Sequence, residues 1–436
     1  QTDGVKLLYH DVETNGIGYV TALFDLSEIE EELLPYAGIL QSVLGIIDTE
    51  HYGYGELFNE INVHTGGIGT SLELYTDVTK VKEKEFRATF EIKGKALDPK
   101  LDVLFAMMRE ILMESKLGDE KRLKEILSML KTRLQTSFLS AGHTTAVLRS
   151  LSYTSPIARF RDITSGIGFY EVVKDLEENF EERKELLIEN LKKIAGRIFR
   201  KENLMLSYTS AQEGLAVLEK AVPQFADSLH TGEKESHGQC IIHCKKRNEG
   251  FRTSSKVQYV ARTGNFIDGG AEYTGALQIL KVILSYDYLW QNVRVKGGAY
   301  GCMSGFNRIG EGYLVSYRDP NLEKTMEIYE GVVDYLKNFD IDDRDMNKFI
   351  IGTISNLDRP MNPAAKGSRS LNLYMNRITE EMIRREREQI LDAQQEDIRG
   401  LATVLEAVLA AGELCVIGSE EKIEEAKEMF GEIRTL

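Results

Sequence analysis

Polar and hydrophobic residues alternate along several short segments of this chain and recur with a helical period along several longer ones. Alternation over Thr70–Thr76 and Glu85–Ile92 predicts β-strands, because successive side chains of a strand point to opposite faces of a sheet. A period near 3.6 residues over Pro99–Ser115, Asp119–Phe138 and Tyr170–Phe199 predicts amphipathic α-helices. The sequence therefore predicts a fold that combines strands with long helices.

Part of this pattern occurs twice. Three pairs of segments correspond in the same order along the chain: 16–26 with 256–266, 36–41 with 273–278, and 54–69 with 286–301. Each copy also ends in a strand-like segment, 204–210 or 414–419, followed by an amphipathic stretch. Chance similarity between two helix-rich segments is the alternative, but three matches in one order favour an internal duplication.

The duplication sets the predicted domain organisation. We expect a first domain at 1–226, a linker at 227–237 and a second domain at 238–436, because the intervening sequence is polar and lacks an apolar period. No G-x-G-x-x-G motif follows an opening strand, which favours an α+β fold over a doubly wound sheet. Each domain is predicted to be a mostly antiparallel sheet with helices on one face.

Composition and charge exclude several classes of protein. Of the 436 residues, 42% are hydrophobic and 28% are charged, as in a globular protein. The formal charge of −15 makes nucleic acid and anionic membranes poor partners. Four cysteines without a C-x-x-C motif predict a reducing, cytoplasmic location, and we predict neither a membrane span nor a signal peptide. A chain that begins at Gln1 is expected to be processed or a piece of a longer protein.

The candidate binding chemistry is concentrated in residues 292–301. Alternation through Val293–Lys296 predicts a strand, and Gly297 and Gly298 predict a turn or a close approach to a ligand. Arg294 can offer a planar guanidinium to a carbonyl or carboxylate, and Tyr300 can donate a hydrogen bond to a developing oxyanion. Together these residues are predicted to hold a peptide.

A surface arginine beside a glycine hairpin and a packed tyrosine is the alternative for this segment. The first copy has Asn62 at the position of Arg294 and Ile68 at the position of Tyr300. A purely structural pair would be expected in both copies, so this difference favours a function. A phosphate-binding loop is a third hypothesis, although the P-loop spacing is missing.

Histidine and cysteine patterns predict no metal site. Cys240, His243 and Cys244 would share one face of a helix. The segment is instead predicted to be a strand, which separates the two cysteines by roughly 13 Å and turns His243 away from both. No histidine forms a zinc-peptidase motif. His143 is predicted to be a structural histidine with its hydrogen bonds satisfied.

Several longer motifs carry a resemblance to a known family. They are DVETNGIGYVTALFDL at 11–26, YGELFNEINVHTGGIG at 54–69, RVKGGAYG at 294–301 and YRDPNLEKT at 317–325. These motifs resemble the C-terminal half of presequence-protease-like peptidases in the pitrilysin/insulinase superfamily. The resemblance runs nearly end to end, and RVKGGAYG is its most specific part.

The resemblance implies a zinc metalloendopeptidase of four related α+β domains with the LuxS/pitrilysin metallohydrolase-like fold. Its two halves would close around short unstructured peptides, and the absent N-terminal half would carry the zinc ion and the H-x-x-E-H motif. In the family, the Arg and Tyr of the matching motif hold the substrate backbone near the scissile bond. This implies substrate binding by Arg294 and Tyr300, with Gly297 and Gly298 in the same site.

Both copies depart from the zinc-binding helix of the family. The positions of its His, Glu and His are occupied in the two copies by Ala37, Leu40 and Gln41, and by Thr274, Leu277 and Gln278. We therefore predict no catalytic residue and no metal in this chain, and no hydrolysis by the chain alone. The alternative is a catalytically silent scaffold or interaction subunit of a processing-peptidase-like complex.

Overall fold

In the computed structural model, which describes residues 4–231 and 240–436, two β-sheets organise the chain. The first sheet contains β1 (Lys6–Asp11), β2 (Ile17–Asp25), β3 (Ile68–Tyr75), β4 (Arg87–Leu97) and β5 (Leu204–Ser210). Their order across the sheet is β1-β5-β2-β4-β3. The pairing of β1 with β5 is parallel and the other pairings are antiparallel.

The second sheet contains six strands. They are β6 (Glu249–Thr253), β7 (Tyr259–Asn265), β8 (Gly301–Phe306), β9 (Glu311–Tyr317), β10 (Glu413–Ser419) and β11 (Glu432–Thr435). Their order is β11-β6-β10-β7-β9-β8. Strand β6 pairs in parallel with β10 and β11, and the remaining pairings are antiparallel.

The two sheets share one topology. Strands β6 to β10 have the same order and the same relative directions as β1 to β5, and β11 is an addition at one edge. An internal duplication predicts this correspondence, and the mostly antiparallel α+β architecture is confirmed. Part of the predicted linker, residues 232–237, lies outside the described residues, so the domain boundaries stay a prediction.

Helices surround both sheets. The first module, defined here as residues 4–231, contains α1 (Leu34–Val43), α2 (Tyr54–His64), α3 (Leu101–Met113), α4 (Glu120–Ser140), α5 (Gly142–Leu151), α6 (Pro156–Ser165), α7 (Ile167–Glu178), α8 (Phe180–Ile198) and α9 (Gln212–Asp227). The second module, residues 240–436, contains α10 (Ala276–Tyr286), a π-helix (Trp290–Lys296), α11 (Glu323–Glu330), α12 (Val332–Lys337), α13 (Asp343–Leu357), α14 (Pro363–Met375), α15 (Glu380–Leu391), α16 (Gln395–Gly400), α17 (Ala402–Ala410) and α18 (Glu420–Glu425). Within these ranges, no helix combines the length and apolar character needed to cross a bilayer.

The predicted elements of the first module are largely present. Strands β3 and β4 occupy the two alternating segments, and α3 and α4 occupy the first two helical segments. The predicted helix over 170–199 is wrong in its continuity, since α7 and α8 meet at Asn179. The backbone there leaves the helical region, and the Asn179 amide donates to the carbonyl of Asp175 at 3.1 Å. A short polar side chain of this kind competes with the helical hydrogen bonds.

The two modules exchange helices across their sheets. Helix α5 of the first module packs on β7, β9 and β10 of the second sheet. Helix α14 of the second module packs on β1 and β5 of the first sheet, where Leu371 joins Leu23, Tyr75 and Met205 in an apolar cluster. The inward face of the second sheet thereby shares one hydrophobic core with the helices of the first module. Each sheet is thus covered partly by the other module.

A buried ion-pair network lies under α5. The guanidinium of Arg149 donates to both oxygens of Glu249 on β6, at 2.6 and 2.8 Å, and to Asp162 on α6, at 2.6 Å. Both carboxylates are fully buried. Burial alone would raise the pKa of Glu249, but hydrogen bonding and the charge of Arg149 hold that pKa below its ordinary value. The network joins the two modules through charges that have no access to water.

Candidate functional site

The segment predicted to be a strand at 292–296 is a π-helix, so that prediction is wrong. Leu289 and Val293 are fully buried, whereas Val295 is 60% exposed. Burial therefore follows a spacing of four residues, although the sequence also alternates over this short segment. The wider turn of a π-helix is rare and occurs frequently at functional sites.

The π-helix brings Arg294 onto an aromatic platform. The guanidinium carbon lies 3.9 Å from the ring centre of Trp290 and 5.8 Å from that of Tyr300. Trp290 and Arg294 are four residues apart, so one helical turn stacks them. Stacking holds the planar cation in one orientation while its N–H groups stay available to a ligand. Sequence analysis singled out Arg294 and Tyr300, which the structure brings together, but it missed Trp290.

Gly297 and Gly298 end the π-helix. A Cβ at Gly297 would collide with the carbonyl of Val293, and Gly298 has a φ of +84°. The N–H of Gly298 donates to Arg294 at 2.8 Å, and the N–H of Ala299 donates to Val293 at 3.1 Å. Both positions require glycine for the turn itself. Their contact with a peptide stays a prediction.

Tyr300 stands at the start of β8 with 66% of its surface exposed. Its ring packs edge-on against Tyr317 at a centroid distance of 5.8 Å. Tyr317 in turn contacts Tyr259 at 5.7 Å and His143, from helix α5 of the first module, at 4.8 Å. The exposed phenol of Tyr300 is thus supported by an aromatic cluster that spans both modules.

His143 is packed as expected but is not satisfied. Burial lowers its pKa, and its Nδ1 is buried without a hydrogen-bond partner among the described residues. The prediction of a histidine with satisfied hydrogen bonds is therefore wrong. Ring stacking on Tyr317 is what holds its side chain.

A second loop fixes the glycine turn from below. The Asn321 amide donates to the carbonyl of Gly297 at 2.6 Å. Asp319, which is fully buried, accepts hydrogen bonds from the backbone N–H of Asn321 at 2.9 Å and the hydroxyl of Thr325 at 2.6 Å. Sequence analysis assigned these residues no role, although they lie in the YRDPNLEKT motif that carries the resemblance. They position the turn between Arg294 and Tyr300.

The corresponding place in the first module has no such chemistry. Asn62 lies on the regular helix α2 and donates to the carbonyl of Phe58 at 2.8 Å. Ile68 begins β3 and packs against the core. A regular helix and an apolar side chain therefore replace the π-helix with its arginine and tyrosine. The two copies share a topology but differ at this site.

The residues at the zinc-helix positions of the first copy cannot hold zinc. Ala37 and Leu40 are fully buried in α1 and supply no lone pair. The Gln41 amide donates to the carbonyl of Thr70 on β3 at 3.1 Å, and the Thr70 hydroxyl donates back to the Gln41 carbonyl at 2.8 Å. Gln41 thus ties the helix to the sheet.

The second copy is equally unsuited to zinc. Leu277 is buried, and the Gln278 amide donates to the Tyr273 hydroxyl at 2.9 Å, which itself donates to Glu386 at 2.7 Å. Thr274 lies just before α10 begins. Throughout residues 4–231 and 240–436, no group of three or more His, Cys, Asp and Glu could hold a metal ion. The donor set of a zinc peptidase does not fit this chain.

The histidine and cysteine motif is extended but is not a strand. Residues 240–248 form no regular element, and β6 begins only at Glu249, so the strand prediction is wrong. The N–H of Cys240 donates to Ser27 at 2.7 Å, and His243 pairs with Glu31 at 2.9 Å. His237, which opens the motif, lies outside the described residues. Contacts with the first module hold this segment.

The fold has solved counterparts. A peptidase M16 inactive domain from Pseudomonas fluorescens superposes with a TM-score of 0.61 at 12% identity, covering 95% of this chain and 96% of that one. The periplasmic protease PqqL from Escherichia coli gives a TM-score of 0.60 at 10% identity, covering 94% of this chain and 44% of that one. The fold and the zinc-helix positions without ligands together define the class: an M16-type α+β module without the metal centre.

Sequence comparisons specify the family. Residues 1–176 match the family of domains associated with subfamily C of the M16 peptidases, and residues 248–420 match the "PreP C-terminal domain". The chain belongs to the M16 peptidases and corresponds to the C-terminal, inactive half of the presequence-protease-like members.

Two curated relatives illustrate the relationship. Protein HypA of Clostridium perfringens is 37% identical over 438 residues, which span all of this chain and 44% of that protein. Presequence protease 1, chloroplastic/mitochondrial, of Arabidopsis thaliana is 30% identical over 426 residues, which span 97% of this chain and 39% of that protein. The chain thus spans less than half the length of these relatives.

Proposed function

We propose that this chain is the non-catalytic, substrate-binding half of a zinc metalloendopeptidase that degrades short unstructured peptides. Its partner would be an N-terminal half, which would hold the zinc ion and the catalytic residues. Arg294 and Tyr300 would hold the peptide backbone, with Gly297 and Gly298 allowing close approach. Relatives named presequence proteases support this assignment.

The stacked Arg294 beside the exposed Tyr300 is the observation that carries the proposal. Neither side chain forms an ion pair or hydrogen bond within the described part of the chain, and Trp290 orients the guanidinium. An oriented guanidinium and a phenol can donate to two carbonyl oxygens of an extended peptide. Donors held in place before the peptide arrives can also favour the negative charge of a reacting carbonyl.

A cytoplasmic location is part of the proposal. All four cysteines are free, and Cys302 and Cys415 are buried. Free thiols are typical of reducing compartments, which supports this location.

The chain alone should not cleave peptides. We expect no hydrolysis of a quenched fluorescent peptide by the purified chain with added zinc, because the donor set lacks histidine and carboxylate at the required positions. Addition of an N-terminal half with H-x-x-E-H should restore cleavage. Cleavage by the chain alone that a chelator abolishes would refute the assignment of the metal to the other half.

Loss of the guanidinium should impair the assembled enzyme. Arg294→Ala is expected to lower turnover by more than about tenfold, the scale of losing one donor to the reacting carbonyl. Arg384→Ala provides the control, because Arg384 is 65% exposed on α15 and its ion pairs are with neighbours on its own helix. Normal turnover by the Arg294 variant would contradict the assigned role. The scaffold hypothesis predicts no effect of either variant on peptide binding.

A further inference from the structure

Arg318 has a backbone conformation that arginine rarely adopts. It follows β9 directly, and its φ is +49°, in the left-handed region that favours glycine and asparagine. Conformations of this kind persist where the surrounding structure imposes them, and they cluster at functional sites. The resemblance covers this residue, but nothing so far gives it a role.

Hydrogen bonds on both sides impose the conformation. Before it, Tyr317 pairs with Gly301 of β8. After it, the backbone of Asp319 exchanges hydrogen bonds with Gln258 at 2.7 and 2.9 Å. The carbonyl of Arg318 itself accepts the N–H of Tyr300 at 3.2 Å. The bend at Arg318 is therefore coupled directly to the backbone of Tyr300.

The Arg318 side chain lies beside the candidate peptide site. It is exposed, and its guanidinium carbon lies 5.4 Å from the ring centre of Tyr317, the ring that supports Tyr300. Its polar neighbour is the hydroxyl of Tyr259, and no carboxylate pairs with it in the described residues. Such a cation is notable in a chain with 69 acidic and 54 basic residues. Arg294 and Arg318 thus flank Tyr300 with two uncompensated positive charges.

We propose that Arg318 binds a carboxylate of the peptide held by Arg294 and Tyr300. The carboxylate is either the C-terminus of the peptide or an acidic side chain. A guanidinium binds carboxylates through paired N–H donors, and its five N–H groups exceed what one tyrosine hydroxyl can accept. This inference rests on the proposed function and adds a preference for negatively charged peptides.

Three probes distinguish the sources of the carboxylate. Each is the same unstructured peptide of Gly, Ser, Leu and Lys with a neutral fluorophore: one ends in a free carboxylate, one in a carboxamide, and one in a carboxamide with a single internal Glu. Fluorescence anisotropy would measure their affinity for this chain. We expect the free acid, the Glu peptide or both to bind about tenfold more tightly than the neutral amide.

Arg318→Asn is the decisive variant. Asparagine tolerates the left-handed backbone, so the variant should keep the bend and remove only the guanidinium. We expect it to bind all three peptides within about twofold of one another. Arg377→Asn is the matched control, because Arg377 also has a positive φ, of 58°, and lies over a tyrosine ring, that of Tyr374. It should retain the preference for carboxylates.

The outcomes separate the two proposals. Equal affinity of the unaltered chain for all three peptides, or a carboxylate preference that survives Arg318→Asn, would overturn the role of Arg318. In either case, weaker binding of every peptide to Arg294→Ala would still support the proposed function. Binding that Arg294→Ala leaves unchanged, or no binding of any peptide, would contradict the proposed function itself.

Discussion

Arg149→Met should lower the free energy of unfolding by about 3–5 kcal/mol, the cost of removing one partner from a buried ion pair. The substitution would leave Glu249 and Asp162 buried without their nearest cation, and both are fully inaccessible to solvent. The hydroxyl of Tyr153, 3.0 Å from Glu249, cannot replace a positive charge. Urea denaturation followed by circular dichroism would measure the loss.

Two further variants test the cause of that loss. Arg183→Ala removes a pair with Asp175 whose side chains are each nearly half exposed, and it should cost at most about 1 kcal/mol. The triple variant Arg149→Met/Asp162→Asn/Glu249→Gln removes all three charges and should regain much of the stability, because none of the three positions then holds an uncompensated buried charge. An equal loss in the triple variant would show that packing, rather than charge, dominates.

Gly367→Ala should destabilise the contact between helix α14 and the first sheet. A Cβ at this position would overlap the hydroxyl of Thr209 on β5, so the helix has to move or the threonine has to reorient. Overpacking of this kind costs about 1–3 kcal/mol. The measurement is again the free energy of unfolding in urea.

Gly196→Ala is the matched control for that substitution. Gly196 also lies in a helix, α8, but a Cβ there meets no atom within 4 Å. Alanine favours helices over glycine by roughly 0.5–1 kcal/mol, so this variant should be neutral or stabilising. Thr209→Ala combined with Gly367→Ala should recover part of the loss. Additive losses in the double variant would place the effect elsewhere on α14.

Local periodicity predicts much of this fold. Segments such as Thr70–Thr76 and Asp119–Phe138 become β3 and α4, because their buried faces follow the period of the element itself. The internal repeat also anticipates that two sheets share one strand order. The exchange of α5 and α14 could not be anticipated, since it depends on contacts between residues far apart in the sequence.

The candidate site was predictable in part. The motif at 294–301 identifies Arg294 and Tyr300, which the structure brings together. It does not identify the π-helix, because Val293 and Val295 alternate over a stretch too short to separate a strand from a helix. Arg318 was also missed, since its importance lies in a backbone angle and a hydrogen bond to Tyr300. Neither feature leaves a signal in residue type.

The exchange of helices between the modules has a mechanical consequence. Because α5 anchors the second sheet and α14 anchors the first, a load applied at Tyr300 passes into both sheets together. The duplicated copies are interlocked and form one stiff lever instead of two beads joined by a string. Any closing movement around a bound peptide would then swing this lever as a unit, with its pivot outside the pair of sheets.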